Sequence, residues 1–362
     1  MRLRRRTDAG EPCPEAPGNG AAAAAADPAA ARPAAVPVEA ENDPDRLAAP
    51  PAVLPESDPD RVAKPEKASW GFQEGDELAP GRTILELLGG GSAYEVFIVW
   101  DDHRYALMVA KVLRPDRADD PGELRSLRKE VEALEALSHP VLVRSFDAVL
   151  DGPHPHVLIE QIEGPTLRRL VKRGGPLPIE QLLPLALHVG ATLQYLANEG
   201  WVHLDVKPDN IVMGVPPRLI DLSVARTFER AGRITGQIGT DAYMAPEQCD
   251  PSRWPGAIGP AADVFGLAAT LWHAAGGRPP FPRPKGARES EDLSVRFPQL
   301  HSEPIDLPDG TPAVLEDALR AGLAREPADR PAAGELVAAL EPLLATLPRR
   351  LVLSKRGARA GY

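Results

Sequence analysis

The loop His203-Leu204-Asp205-Val206-Lys207-Pro208-Asp209-Asn210 sets an aspartate, a lysine and an asparagine at the spacing D-x-K-x-x-N. Moving a phosphoryl group onto a hydroxyl needs a carboxylate that orients the hydroxyl and accepts its proton. It also needs a cation beside the transferred group and an oxygen ligand for a metal ion. Asp205, Lys207 and Asn210 can supply these in turn. Eleven residues after Asn210 an apolar run ends in Leu219-Ile220-Asp221-Leu222-Ser223. Asp221 there is a candidate ligand for a hard divalent cation, which favours oxygen donors and bridges phosphates.

Two upstream features fit the same chemistry. Gly89-Gly90-Gly91-Ser92-Ala93-Tyr94-Glu95-Val96 lies between two expected strands. Glycines let a hairpin backbone lie against phosphate oxygens and offer unobstructed N–H donors. The pattern G-x-G-x-x-G-x-V is met at Gly89, Gly91 and Val96, with Tyr94 where a third glycine is usual. A Walker loop is excluded, because no Gly-Lys-Ser/Thr follows. Lys111 sits in the apolar run Met108-Val109-Ala110-Lys111, where a charge needs a partner. Glu130 on a downstream helix is the candidate, and the pair could hold phosphates.

These residues need a β-rich part followed by a helical part. The stretches TILELL, YEVFIVW and ALMVAKVL read as strands, as do VRSFDAVL and HVLIEQ further on. Between them, ELRSLRKEVEALEALS repeats Leu124, Leu127, Val131, Leu134 and Leu137 at steps of three and four, giving one apolar helix face. After Gly164 the pattern is mainly helical, starting with Ile179 to Asn198. The expected class is α+β with two lobes: residues 75–163 the small β-rich lobe, 164–345 the larger helical lobe, and 346–362 a C-terminal tail.

Residues 1–74 are Ala/Pro-rich and are expected to be disordered, since they cannot bury enough apolar surface to offset ordering entropy. Residues 1–77 hold 9 Lys/Arg and 15 Asp/Glu, over half of the chain's net charge of −11. Trp70 and Phe72 are expected to dock on the folded part as its leading edge. The acidic balance speaks against a nucleic-acid partner. Cys13 and Cys249 offer no disulfide or zinc framework, which fits a reducing cytoplasm. Arg4, Arg5 and Arg6 are not followed by the apolar stretch of an export signal. The most apolar segment, Leu182 to Ala197, contains Pro184, His188 and Gln194 and reads as a buried helix rather than a membrane span. The chain is accordingly read as soluble and cytoplasmic.

The ordered set GGGSAYEV, Lys111, Glu130, HLDVKPDN, Asp221-Leu222-Ser223, Gly239-Thr240-Asp241-Ala242-Tyr243-Met244-Ala245-Pro246-Glu247 and Asp263, with a late Asp329-Arg330-Pro331, resembles the protein-kinase signature. Lys207 and Thr240 match the serine/threonine form, and the chain is similar to eukaryotic-like bacterial kinases over residues 75–345. High Ala, Pro and Arg usage points to a GC-rich, actinobacterial source. The resemblance implies transfer of the γ-phosphate of ATP, with Mg²⁺ or Mn²⁺, to Ser or Thr of proteins, itself included; the exposure expected of the tail makes Thr7, Ser57 and Ser69 candidate targets there. It implies Asp205 as base, Lys207 beside the transferred group, and Asn210 and Asp221 as metal ligands. Gly89, Gly91 and Lys111 with Glu130 would hold phosphates. Val96 and Val212 would sandwich adenine, Ile159 would be the gatekeeper, and the backbone of Glu160 to Ile162 would bind the base. Leu134, His203 and Leu222 would form a spine between the lobes, and Arg330 would pair with Glu247.

Four positions depart from the pattern. Leu204 replaces an arginine that clamps a phosphorylated loop, so phosphate on Thr227 or Thr235 would lack that partner. Ser223 replaces a glycine and its backbone freedom. Tyr94 is expected at the tip of the glycine loop, adding bulk over the phosphates, and Val109 stands where alanine usually roofs the adenine. Together these motivate an alternative, a pseudokinase scaffold that binds nucleotide and partners without turnover. A small-molecule kinase is disfavoured by the intact segment Gly239 to Glu247.

Overall fold

The computed structural model describes residues 67–345 and 347. Residues 1–66 of the Ala/Pro-rich segment, with Thr7 and Ser57, and the C-terminal tail other than Leu347 lie outside the described residues.

Alternation of apolar side chains builds the first lobe. Strands β1 (Glu77–Ala79), β2 (Arg82–Gly89), β3 (Tyr94–Asp101), β4 (Ala106–Leu113), β5 (Ser145–Val149) and β6 (His156–Glu160) form one antiparallel sheet in the order β1-β2-β3-β4-β6-β5. In β3, Glu95, Phe97, Val99 and Asp101 are buried on one face, as the two-residue period of a strand requires. Phe97 and Val99 meet Ile84, Met108, Ala110 and Leu158 in an upper core, against which Trp70 and Phe72 pack. Residues 67–74, assigned to the tail in the sequence reading, therefore include a segment seated on the sheet. Its aromatic pair buries enough apolar surface to order it. Buried Arg82 ties the far side of the sheet together through Asp101, His156 and Asp147.

Helix α1 (Pro121–Ala136) follows β4. Asp120 caps it by accepting from the N–H groups of Gly122 and Glu123, and Pro121 occupies the first turn. Its buried face holds Leu127, Glu130, Val131, Ala133 and Leu134. The helical period that buries the leucines thus buries Glu130 with them, and a buried carboxylate needs a counter-charge.

The second lobe is helical: α2 (Leu167–Gly174), α3 (Ile179–Asn198), α4 (Phe228–Ala231), α5 (Pro246–Cys249), α6 (Pro260–Gly276), α7 (Leu293–Arg296), α8 (Ala313–Gly322) and α9 (Ala333–Leu344). Two-residue strands β7 (Trp201–Val202), β8 (Ile211–Val212), β9 (Arg218–Leu219) and β10 (Arg226–Thr227) pair as β7 with β10 and β8 with β9. Every residue of α6 from Ala262 to Ala274 is buried, the mark of a helix enclosed on all sides. It packs on α3, which in turn packs on α9. There Gly190 is needed for close approach, because a Cβ would lie 2.5 Å from a Val337 methyl. No helix among the described residues is long and apolar enough to cross a membrane. The architecture is α+β, a β-rich lobe followed by a helical one, with the cleft where the chain passes between them.

Candidate active site

A cavity of about 240 Å³ opens between the sheet and the helical lobe. Of the residues singled out from sequence, Val96, Lys111, Glu130, Glu160, Ile162, Val212, Asn210 and Asp221 line it, whereas Gly89, Gly91, Asp205 and Lys207 do not. Leu88, Val143 and Ile220 line it as well and were not anticipated. No short pattern marks them; they read as ordinary apolar residues of strands and flanking loops.

The strand register explains the cation. Val96 on β3 faces Lys111 on β4, so both side chains leave the sheet on the cleft side. Lys111 Nζ donates to both Glu130 oxygens, at 2.8 and 2.9 Å, and to Asp221 Oδ1 at 3.0 Å. Burial would lower the lysine's pKa, but Glu130 and Asp221 outweigh it and push it well above the ordinary range. For Asp221 burial works upward, yet Lys111 and the Ser223 hydrogen bonds hold it well below the carboxylate range. Asp221 also takes the left-handed backbone of this turn, with φ 73°, a conformation that aspartate tolerates. Ser223 keeps negative φ, so the loss of glycine there leaves the turn intact.

In the catalytic loop, Lys207 Nζ donates to Asp205 Oδ2 at 2.6 Å and to Thr240 Oγ1 at 2.7 Å. Asn210 Nδ2 donates to the Asp205 carbonyl at 2.9 Å and to Oδ2 at 3.2 Å, which leaves Asn210 Oδ1 as an acceptor. Asp205 Oδ1 is buried with no hydrogen-bond partner among the described residues. The loop is hung from α6: Asp263 accepts the N–H groups of His203 and Leu204, each at 2.7 Å. Leu204 is buried in left-handed backbone with φ 64°. His203 and Leu222 are fully enclosed and Leu134 nearly so.

The glycine turn is at the roof. Gly89 ends β2 opposite Val96, and Gly90 adopts φ 154°, where a Cβ would sit 2.2 Å from the Tyr94 carbonyl. Gly91 is exposed and its carbonyl accepts from Arg114 and Lys67. The expectation that Tyr94 sits at the loop tip is overturned. Tyr94 begins β3 on the same face as Val96, so its ring turns inward, 4.5 Å from Lys111 Nζ, with the hydroxyl buried and unpartnered among the described residues.

At the hinge, the Glu160 side chain points away from the base site, to Arg144 at 2.9 Å and Arg218 at 3.5 Å. Its N–H is used by the Arg144 carbonyl. Ile162, by contrast, has neither its N–H nor its C=O in a hydrogen bond among the described residues. Three further links were not read from sequence. Arg168 joins Asp209 at 2.6 Å and the Tyr243 hydroxyl at 2.8 Å. Arg230 on α4 meets Glu132 on α1 at 2.8 Å. Residues 67–70 grip the glycine turn. All three connect segments distant in sequence, so no local pattern signals them. The Arg330–Glu247 pair that the resemblance implied is made, at 2.7 and 2.8 Å, with both side chains fully buried.

The site thus gathers the Asp205 carboxylate, the cations of Lys111 and Lys207, the side-chain oxygens of Asn210 and Asp221 that could serve a metal ion, and an apolar cleft. The protein kinase domain family matches residues 82–340. The chain is similar to the serine/threonine-protein kinase PknB of Mycobacterium leprae, 29% identical over 257 residues, covering 68% of this chain and 40% of the relative. It is also similar to the serine/threonine-protein kinase PkaA of Streptomyces coelicolor, 31% identical over 237 residues, covering 64% of this chain and 42% of the relative. The chain therefore spans less than half the length of these curated relatives. With the match covering most of its length, the chain belongs to the protein kinase family.

Proposed function

We propose that this chain is a cytoplasmic serine/threonine protein kinase that transfers the γ-phosphate of ATP to Ser or Thr hydroxyls of proteins, itself included. The observation that carries the reading is the Asp205 carboxylate. One oxygen is bound by Lys207 and Asn210, and the other is buried with no partner among the described residues. A buried acceptor left open is costly unless a ligand supplies the donor.

On this reading the acceptor hydroxyl donates to the Asp205 carboxylate. As its oxygen bonds to the γ-phosphorus, the bond from that phosphorus to the bridging oxygen breaks and ADP leaves. Asp205 takes the hydroxyl proton. Lys207, already beside Asp205 and Thr240, offsets charge on the transferring group. Lys111, fixed by Glu130, supplies the cation for the other phosphates. Val96 and Val212 enclose the base, and the free N–H and C=O of Ile162 bind its edge. Asn210 Oδ1 and Asp221 would hold Mg²⁺ or Mn²⁺, which would offset phosphate charge.

The scaffold alternative draws on Tyr94 against Lys111, but none of the charged groups that transfer requires is missing. The test is incubation of wild type and Asp205→Asn with Mg²⁺ and ATP, followed by intact mass and by phosphorylation of a generic acceptor protein. Phosphate added by wild type alone is expected. Transfer by neither, to itself or to the acceptor, would sink the reading and favour the scaffold.

A further inference from the structure

Residues 67–70 precede the first strand and grip the glycine turn from outside the cleft. Lys67 Nζ donates to the Gly91 carbonyl at 3.1 Å, and Arg114 Nε donates to the same oxygen at 3.1 Å. Arg114 Nη1 donates to the Ala68 carbonyl at 2.7 Å and lies 3.4 Å from Glu95 Oε1. Glu95, only 2% exposed, accepts from Ser69 Oγ at 2.7 Å and from the Trp70 N–H at 3.0 Å. Trp70 Nε1 donates to the Leu113 carbonyl at 2.7 Å, and its ring meets His154 edge-on with centroids 4.6 Å apart. A buried carboxylate on a strand is expensive unless paired. Two of Glu95's three partners come from this short segment, not from the sheet that carries it.

We propose that residues 67–70 are a strap that positions the glycine turn for nucleotide, anchored on Glu95 and Arg114. The proposal rests on the kinase reading above. A trans peptide points its N–H opposite its carbonyl. Holding the Gly91 carbonyl from the strap side therefore aims the Ser92 N–H away from the strap. Three consecutive glycines otherwise leave this turn a large conformational entropy. Fixing one carbonyl before nucleotide arrives removes part of that cost from binding. The strap thereby makes nucleotide affinity depend on the segment that precedes the kinase domain. Ser69 is its charge-sensitive point, since an anion there would face Glu95.

The test uses the full chain as wild type, Lys67→Ala/Ser69→Ala, Ser69→Asp, and Lys67→Arg as the conservative control. Lys67 and Ser69 are exposed, so these changes leave the core packing in place. Hydrogen exchange is read over residues 88–96 without nucleotide, and affinity by titration with a magnesium-bound, non-hydrolysable ATP analogue. Exchange in the turn is expected to rise, and affinity to fall, by roughly threefold to tenfold in the double and Asp variants, the scale of one or two lost hydrogen bonds. Lys67→Arg should stay near wild type, and kcat should change by less than about twofold. Unchanged exchange would overturn the proposal, and so would faster exchange with unchanged affinity. If wild type binds the analogue but transfers no phosphate, the kinase reading fails while the strap stands on exchange and affinity. If wild type binds no analogue, both fall.

Discussion

Lys111 lies against Glu130, Asp221 and the face of Tyr94, so its charge is paired before a substrate arrives while its side chain still lines the cleft. Replacing it by methionine leaves Glu130 buried without its counter-charge. Lys111→Met is expected to lower both kcat/KM and stability, read by turnover and thermal melting. Asp205→Asn should instead cost about 10²- to 10⁴-fold in kcat with little change in melting temperature, because it removes the proton acceptor and keeps the shape. Tyr94 gives a sharper test. Its hydroxyl is buried without a partner, which burdens the fold, whereas the ring over Lys111 contributes favourably. Tyr94→Phe should therefore stabilise the protein by about 1 kcal/mol and leave the ATP KM unchanged. A drop in melting temperature would show that the hydroxyl is satisfied after all. The charged groups of the site were legible because the chemistry fixes their types and the loops fix their spacing. The direction of Tyr94 was not, because it depends on the register of β3 against β4, which no local pattern encodes.

The elements follow the same division. β2, β3, β4, α1 and α3 could be read from their periods, since each is long enough to repeat. Asp120-Pro121 even announces the start of α1, through a cap and a first-turn proline, earlier than the apolar period alone suggests. The two-residue strands β7 to β10 and the single-turn helices α4 and α5 carry no period, and tertiary pairing alone creates them. One of these illegible elements bears on the site. Helix α4, in the loop after Asp221, reaches α1 through Arg230 and Glu132, and α1 carries Glu130 two residues away. The bond is exposed, so its worth lies in registering the loop against the helix, not in stability. Arg230→Glu is expected to lower kcat severalfold at unchanged melting temperature. The exchange Glu132→Arg/Arg230→Glu should restore it. Failure of the double variant to recover would mean the contact is incidental.

At the scale of the molecule, the helical lobe is closed by buried charges whose partners lie far apart in the chain. Arg330 on the segment before α9 meets Glu247 on α5 with neither exposed, and also donates to the carbonyls of Ala261, Ala324 and Arg325. Deleting one partner, as in Glu247→Gln or Arg330→Met, strands the other and is expected to cost about 3–5 kcal/mol by denaturant unfolding. A second buried group makes stability depend on pH. Burial, with Arg168 nearby, holds His273 down at about 4, against 6.5 for an unconstrained histidine, and its Nδ1 lies 2.6 Å from the Tyr243 hydroxyl. Between those two values the unfolded chain binds a proton that the folded protein refuses. Stability from this group is therefore full above pH 7 and falls as pH drops through 6.5 toward 4. Asp263 works the other way. Burial pushes it up to about 7 despite its two backbone donors, so the folded state gains a proton there as pH falls. The total pH profile mixes the two, and the comparison must be a difference. His273→Gln keeps an acceptor for Tyr243 but cannot titrate. The stability of wild type relative to this variant is expected to shrink by about 2 kcal/mol between pH 7 and pH 5. Equal slopes for the two proteins over that range would mean that His273 charges as readily inside the fold as outside it.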